Sequence, residues 1–438
     1  MDLGSLRRAA RKYIKETTAS NPTPEFAPIG PLSTDVQALS LASLTESLGI
    51  SRSGDGEFQK LAPLSPGEPD IAVLTCLAAF SDGHDAWNSP RTQKEASLLA
   101  KDYVESGHLP ALLASILQNR IKPLFSQSKN PAITQQGRRA IDPIPSNETL
   151  HSDLDASSKP WKRRDVYIVT VFQWDSSLQA NWPLVIPPLL AMIDDTSVTY
   201  KVKGCNCLMA LLRVCPATLL ERTGLGEVFE NAVMPCLLYL PSLTEEAESL
   251  QMLRAAYPAL IALALTRFPD EKDRTARMRA LDRILRQGVL KGYAYAGEHV
   301  KIAELLVQQI VKLVNEMGIE SVKHLKHTLP LQSANLASPF ATAYPPLLQA
   351  SVNAMEAIIV NDWPRISHHR GEILKGLTVC WCRIKDQGEV SKELEKVQES
   401  IERAVRLLTS VLKTDVDVVE EYRILVDSDA RLRDLLVA

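Results

Sequence analysis

Residues 181–216 read NWPLVIPPLLAMIDDTSVTYKVKGCNCLMALLRVCP, and this stretch decides the fold. Trp182-Pro183 opens a helix, because proline is tolerated in a first turn, where its missing N–H has no helical partner. Pro187 and Pro188 lie inside the apolar run, so the helix is expected to start late or kink there. Asp194-Asp195-Thr196-Ser197 breaks the pattern and offers cap-type side chains to a second helix. In that helix Val198, Val202, Cys205, Met209 and Leu212 recur at spacings of four and three, an amphipathic stripe. Pro216 stops it. The result is a helix–turn–helix unit of about 35 residues, the size of an α-solenoid repeat. Asp195 falls in the turn and Lys201 in the second helix. HEAT-type repeats place an acid and a base in these positions, where they can ladder between neighbouring repeats; two ordinary exposed charges is the plainer alternative.

The chain has 438 residues, 45% hydrophobic but only 5% aromatic, a mix that suits packed helices better than sheets. The formal net charge of −3 gives no basic excess pointing to direct nucleic-acid binding. No run reaches about 18 apolar residues, so no membrane span is expected. The seven cysteines lie mostly in apolar helical runs and their number is odd, which fits reduced thiols in the cytosol or nucleus.

Working outward, residues 3–16 set Leu3, Leu6, Ala10, Tyr13 and Ile14 against five basic residues. Asp2, Glu16 and the absence of a serine-rich continuation favour a helix that packs on the following domain over a mitochondrial presequence. Four prolines mark 19–31 as a loop. Helices are expected at about 33–48, 69–82, 91–106 and 109–123, so that 1–125 forms an N-terminal helical domain. Residues 126–162 have almost no apolar periodicity and many Pro, Ser, Asn and Asp, the composition of a flexible linker. The stretch ends on Lys159, Lys162, Arg163 and Arg164, read as a solvated helix start in preference to a nuclear-import signal. From 163 to 438 helical periodicity is almost unbroken, in twelve segments. One of them, 297–317, carries two apolar stripes and so is expected to be covered on two sides. Another, 389–413, carries one narrow stripe opposite Glu399→Arg403 and Glu402→Arg406 pairs. The fold class is therefore all-α: a HEAT-like α-solenoid of helix–turn–helix repeats preceded by an N-terminal helical domain.

No catalytic chemistry stands out. Cys205/Cys207 and Cys380/Cys382 lie mid-helix two residues apart, so their sulfurs point about 200° apart and do not suit a zinc knuckle. His324 and His327 flank Leu-Lys in place of a zincin glutamate, and adjacent His368 and His369 cannot share a helix face. Gly224-Leu225-Gly226 lacks the Gly-Lys-Ser/Thr of a phosphate loop. The chain is expected to be non-enzymatic, without metal or cofactor.

Several blocks carry a resemblance. Trp182-Pro183, Pro187-Pro188-Leu189-Leu190 and Ile193-Asp194-Asp195 are followed by Lys203-Gly204 and Cys207-Leu208, by Gly318-Ile319 and Val322-Lys323-His324-Leu325, and by Trp363-Pro364-Arg365-Ile366-Ser367. In order and spacing these blocks, over roughly 163–386, resemble a fungal-type member of the TELO-two-interacting protein two family. The resemblance implies an all-helical HEAT-like subunit of the Triple-T complex, with the Tel-two protein and the first Tel-two-interacting protein as partners. It further implies work with the ninety-kilodalton heat-shock chaperone and its adaptor in maturing phosphatidylinositol-3-kinase-related kinases. DNA-damage signalling and telomere maintenance would depend on it, in cytoplasm and nucleus, and in yeasts a chromatin-linked assembly as well. A helical nuclear-transport or trafficking adaptor is the alternative. Trp182, Asp194, Asp195, Lys201, Lys203, Trp363 and Arg365 are the candidate partner interface. Trp182 and Trp363 are read first as core anchors and second as hot spots. Since the blocks begin after residue 162, the C-terminal solenoid is expected to carry the binding.

Overall fold

The computed structural model describes residues 50–52, 58–60, 74, 94, 98, 109–125, 132–134, 136–140, 165–174, 181–387, 390–412 and 418–437. The helices expected at 3–16 and 33–48, and most of those at 69–82 and 91–106, lie outside the described residues. Among the described residues the fold is all-α apart from an isolated bridge, Ile133 with Arg139, and one short antiparallel hairpin, β1 (Ile50–Arg52) with β2 (Phe58–Lys60), which periodicity does not announce because each strand has three residues. Two compact units divide the chain, Met1–Phe229 and Glu230–Ala438, whereas composition places a boundary at 162/163.

In the first unit α1 (Leu109–Ser115) runs through a π-helical turn, Ile116–Ile121, into α2 (Lys122–Phe125). Then come α3 (Asp165–Trp174), α4 (Trp182–Ile193), α5 (Val198–Val214), α6 (Ala217–Thr223) and α7 (Leu225–Val233), inside which the division between the units falls. Helix α5 packs on both α3 and α4, and those two rest on the π-helical turn. Helix α4 neither starts late nor stops at Pro187 and Pro188, although each removes one i→i−4 bond. Eight of its twelve side chains are buried, which outweighs the two lost bonds. The buried stripe of α5 is rotated from the expected one: Gly204, Leu208 and Leu211 are buried, and Val202 and Met209 are only half-buried.

The second unit contains α8 (Glu246–Arg267), α9 (Arg274–Arg283) with its π-helical continuation Ile284–Leu290, α10 (Lys291–Ala296) and α11 (Val300–Met317). It continues with α12 (Leu325–Ala337), α13 (Pro345–Asn361), α14 (Trp363–Lys385), α15 (Lys392–Leu412), α16 (Val418–Ser428) and α17 (Arg433–Leu436). Contacts link alternate helices. Helix α8 packs on α11, α11 on α13 and α13 on α15, while α12 packs on α14. Consecutive helices α12–α13 and α14–α15 close the space between these two layers. Alternation of this kind is what a helix–turn–helix array requires, because each pair can bury its apolar face only against its neighbours.

The expected stripes hold. On α11, Ala303, Leu306, Ile310, Leu313 and Met317 are buried with Val307 and Val314, while Val300 at the helix start is exposed. On α15 all six stripe residues from Leu394 to Leu412 are buried. Its surface pairs differ in part. Arg406 meets Glu402 at 3.8 Å as expected, but Arg403 forks onto Glu356 of α13 at 2.7 and 3.3 Å. Glu356 is the better partner because it is largely sheltered and bidentate geometry is available.

By length and composition α8 could cross a membrane, which was not expected. Two thirds of its most apolar window is buried in the unit, where it packs on α11 and on the 3₁₀ turn Met234–Leu238. Its C-terminal Arg267 and Arg283 of α9 both bind Glu230, at 2.6 and 3.0 Å. Tyr257 of α8 is fully buried against the backbone of Gly288 in the π-helical turn, and its hydroxyl has no hydrogen-bond partner among the described residues. An unmet buried hydroxyl costs about 1–3 kcal/mol. Tyr257→Phe is therefore expected to leave the thermal midpoint unchanged or to raise it; a clear fall on a melting curve would mean that the hydroxyl is satisfied.

Candidate partner-binding surface

The seven candidate residues separate by burial. Trp182 is 5% exposed, at the first position of α4. Its indole Nε1 donates to the Gly137 carbonyl at 2.9 Å. Residues 132–134 and 136–140 lie over it as a short strap. Gly137 N–H donates to Thr134 O at 2.9 Å, and Arg139 N–H donates to Thr223 O at 2.8 Å. The Arg139 guanidinium also pairs with Glu227. Gly137 has φ +68, and a Cβ there would come within 3.1 Å of the Trp182 ring. Only glycine meets both demands without strain. The flexible-linker reading does not hold for these residues. Low hydrophobicity hid them because the strap is fixed by backbone hydrogen bonds and one indole rather than by apolar side chains.

Asp195 and Lys201 are buried in the turn between α4 and α5. Asp195 Oδ1 accepts the Ser197 N–H at 2.9 Å, an Asx turn that leads into α5. Lys201 Nζ donates to the Ile193 carbonyl at 2.7 Å, satisfying the C-terminal end of α4. These bonds are local to one helix pair. A Cβ on Gly204 would stand 2.8 Å from the Ile193 backbone nitrogen, so the close approach of α5 to the end of α4 depends on glycine. Asp194 is exposed and Lys203 half-buried beside this joint.

The second Trp-Pro start is built differently. Trp363, at the first position of α14, is 58% exposed, and Arg365 is exposed beside it. The core-anchor reading of Trp363 is thus overturned: nothing equivalent to the 132–140 strap covers it among the described residues. The buried side chain in this turn is Asp362, whose Oδ1 accepts from Ser321 Oγ at 2.5 Å. Beside that bond Asn361 Nδ2 donates to Asn315 Oδ1 at 3.0 Å. The α11–α12 turn and the α13–α14 turn are tied together in this way by a serine and a carboxylate, whereas the expected acid–base ladder concerned Asp195 and Lys201. Ile319, 48% exposed, belongs to the turn that carries Ser321.

His324 is buried, with Nε2 2.7 Å from Asp282 Oδ1, while His327 is exposed. Burial holds His324 below the usual imidazole range, against the pull of Asp282. Cys205 and Cys207 are buried, burial pushes the Cys380 thiol up to about 12, and the half-buried Cys382 thiol donates to Asp429 at 3.5 Å.

The pattern that defines the Tti2 family matches residues 73–343, more than half of the chain. The chain belongs to the Tti2 family. A relative in Saccharomyces cerevisiae, TEL2-interacting protein 2, is 23% identical over 254 residues, which are 54% of this chain and 59% of that protein. The chain thus spans less than two thirds of that relative's length. The family match begins well before residue 163, so the first unit carries family character too, and the reason for assigning binding to the C-terminal helices alone disappears. It ends before the Trp363-Pro364 block, which lies outside the matched range.

Two outcomes follow. Trp182→Ala is expected to cost about 3–5 kcal/mol, the range for a buried aromatic, whereas Trp363→Ala should stay within about 0.5 kcal/mol of the parent; paired melting curves read the contrast. Burial pushes the Asp362 carboxyl up to about 6, although Ser321 pulls it down. The ordinary unfolded value is about 3.9, so the folded state holds this proton more tightly and loses stability as pH rises from about 4 through 6, by roughly 3 kcal/mol at most. Asp362→Asn keeps the acceptor for Ser321 without the charge. At about pH 7 it should melt higher than the parent, with a flatter stability profile between about pH 4 and 7; a lower melting point at neutral pH would show that the carboxylate is well compensated.

Proposed function

We propose that this protein is a non-enzymatic scaffold subunit of a Triple-T-type complex, binding the Tel-two protein and the first Tel-two-interacting protein. Its helix pairs serve as HEAT-type repeats, which present extended surfaces and exposed helix ends to other helical arrays. Through that assembly, with the ninety-kilodalton heat-shock chaperone and its adaptor, it promotes maturation of phosphatidylinositol-3-kinase-related kinases in cytoplasm and nucleus. DNA-damage signalling and telomere maintenance depend on it through those kinases. The observation that carries this reading is membership of the Tti2 family, together with a relative whose name records interaction with TEL2. The exposed Trp363 beside Arg365 fits a binding role, since tryptophan and arginine are enriched at interface hot spots.

The test is native affinity purification of the tagged full chain, with quantification of the proteins recovered in equal amount. Recovery of a Tel-two-type and a large Tel-two-interacting-type subunit is expected. Recovery of a transport receptor or a vesicle-coat subunit in their place would reject the assignment in favour of an adaptor.

A further inference from the structure

The two helical layers of the second unit differ in charge far more than the net charge of −3 suggests. Helices α8, α11, α13 and α15 carry eight Lys and Arg against nine Asp and Glu. The opposite layer, comprising 274–290, 318–337 and α14, carries twelve against three. Some of these cations are neutralised within the unit: Arg283 by Glu230, and Arg370 by Glu421 at 2.6 Å. Five remain exposed without a close carboxylate. Arg279, Lys326, Arg365 and Lys375 form no ion pair among the described residues. Arg286 comes no nearer than 3.9 Å to Asp282, which Lys323 at 3.1 Å and His324 at 2.7 Å already hold. The helices bearing these cations are neighbours. Asp282 joins α9 to the 3₁₀ turn before α12 through those two close contacts, and Ser333 Oγ on α12 donates to the Glu372 carbonyl of α14 at 3.2 Å. At one end of this face stand the exposed Trp363 and Ile319.

We propose that the outer face of the α9–α12–α14 layer docks an acidic stretch of a partner polypeptide, with apolar side chains of that stretch seated on Trp363 and Ile319. The inference rests on the scaffold role proposed above and names the chemistry of what is bound. Charge complementarity selects the occupant: unpaired arginines and lysines across adjacent helices attract carboxylates and steer association. A polypeptide suits the face better than nucleic acid does. Glu320 and Glu372 lie among the cations, where they would repel a continuous phosphate backbone, and the apolar residues sit together at one end instead of alternating with the charges as stacking platforms do.

The experiment uses the full chain in its natively purified complex. Zero-length carbodiimide cross-linking is expected to join Lys326 and Lys375 to Asp or Glu side chains of an identified partner subunit. A variant carrying Arg279→Glu, Lys326→Glu, Arg365→Glu and Lys375→Glu should bind that subunit at least about tenfold more weakly at physiological salt, with the melting temperature retained. Lys312→Glu with Lys396→Glu, exposed on the other layer, should bind as the parent does. If the complex forms but neither lysine is cross-linked and the fourfold reversal binds normally, the docking face is wrong while the scaffold role stands. If no stoichiometric partner is recovered, both fall. If the reversal instead abolishes binding to a short duplex DNA or a single-stranded RNA in a gel-shift assay and leaves the protein complex intact, the face is a nucleic-acid site and the proposal is overturned.

Discussion

Helix α13 sets the constraint on which the second unit depends. It has α11 on one side, α15 on the other, and α12 and α14 against its remaining inner surface. A helix so placed cannot be amphipathic in the ordinary sense, because a single stripe would leave polar side chains against a neighbour. Its sequence answers with Leu348, Val352, Met355, Ile358 and Ile359 as bulk, and with the small Ala350, Ser351, Ala354 and Ala357 buried between them. Burying so many apolar groups, each contributing about 0.8 kcal/mol per methylene, outweighs the entropy of ordering the helix. Some buried polar groups are tied between elements, Ser321 to Asp362 and Asn335 to Ser351, while both polar atoms of the buried Gln332 side chain on α12 have no hydrogen-bond partner among the described residues.

Much of this was legible in the sequence because periodicity reports packing directly. The two stripes on α11 mark a helix with neighbours on both sides, and the single stripe on α15 marks one with a wet face; both behave so. What periodicity cannot report is which residues meet across turns. Asn181-Trp182-Pro183 and Asp362-Trp363-Pro364 are nearly the same local sequence and start helices in the same way, yet one indole is buried and the other exposed. The difference lies in residues 132–140, some 45 positions away, and no local pattern carries it. Within one helix pair the acid and base of the first turn make an Asx turn and a carbonyl contact.

The candidate interface was less legible than the fold for a related reason. Residues chosen for lying in family-like blocks divide into interior and surface once the chain is folded. Asp195 and Lys201 hold the α4–α5 joint together and Trp182 anchors the start of α4 to Gly137, while Asp194, Trp363 and Arg365 are exposed. Charge behaves in the same way. Along the sequence, acidic and basic residues of the second unit are interleaved and nearly cancel, and only assignment of helices to layers separates a neutral face from a basic one. A surface of that kind gives on-rate and partner selection more than raw affinity, which suits the scaffold role proposed above.

Amide hydrogen exchange of the full chain, alone and in its purified complex, tests the central claim most directly, since it reads core order and binding surface together. Slowest exchange is expected in α13 in both states, with protection gained on assembly in residues 318–327 and 363–375. Protection gained only in residues 181–216, or an α13 that exchanges as fast as α16, would contradict it.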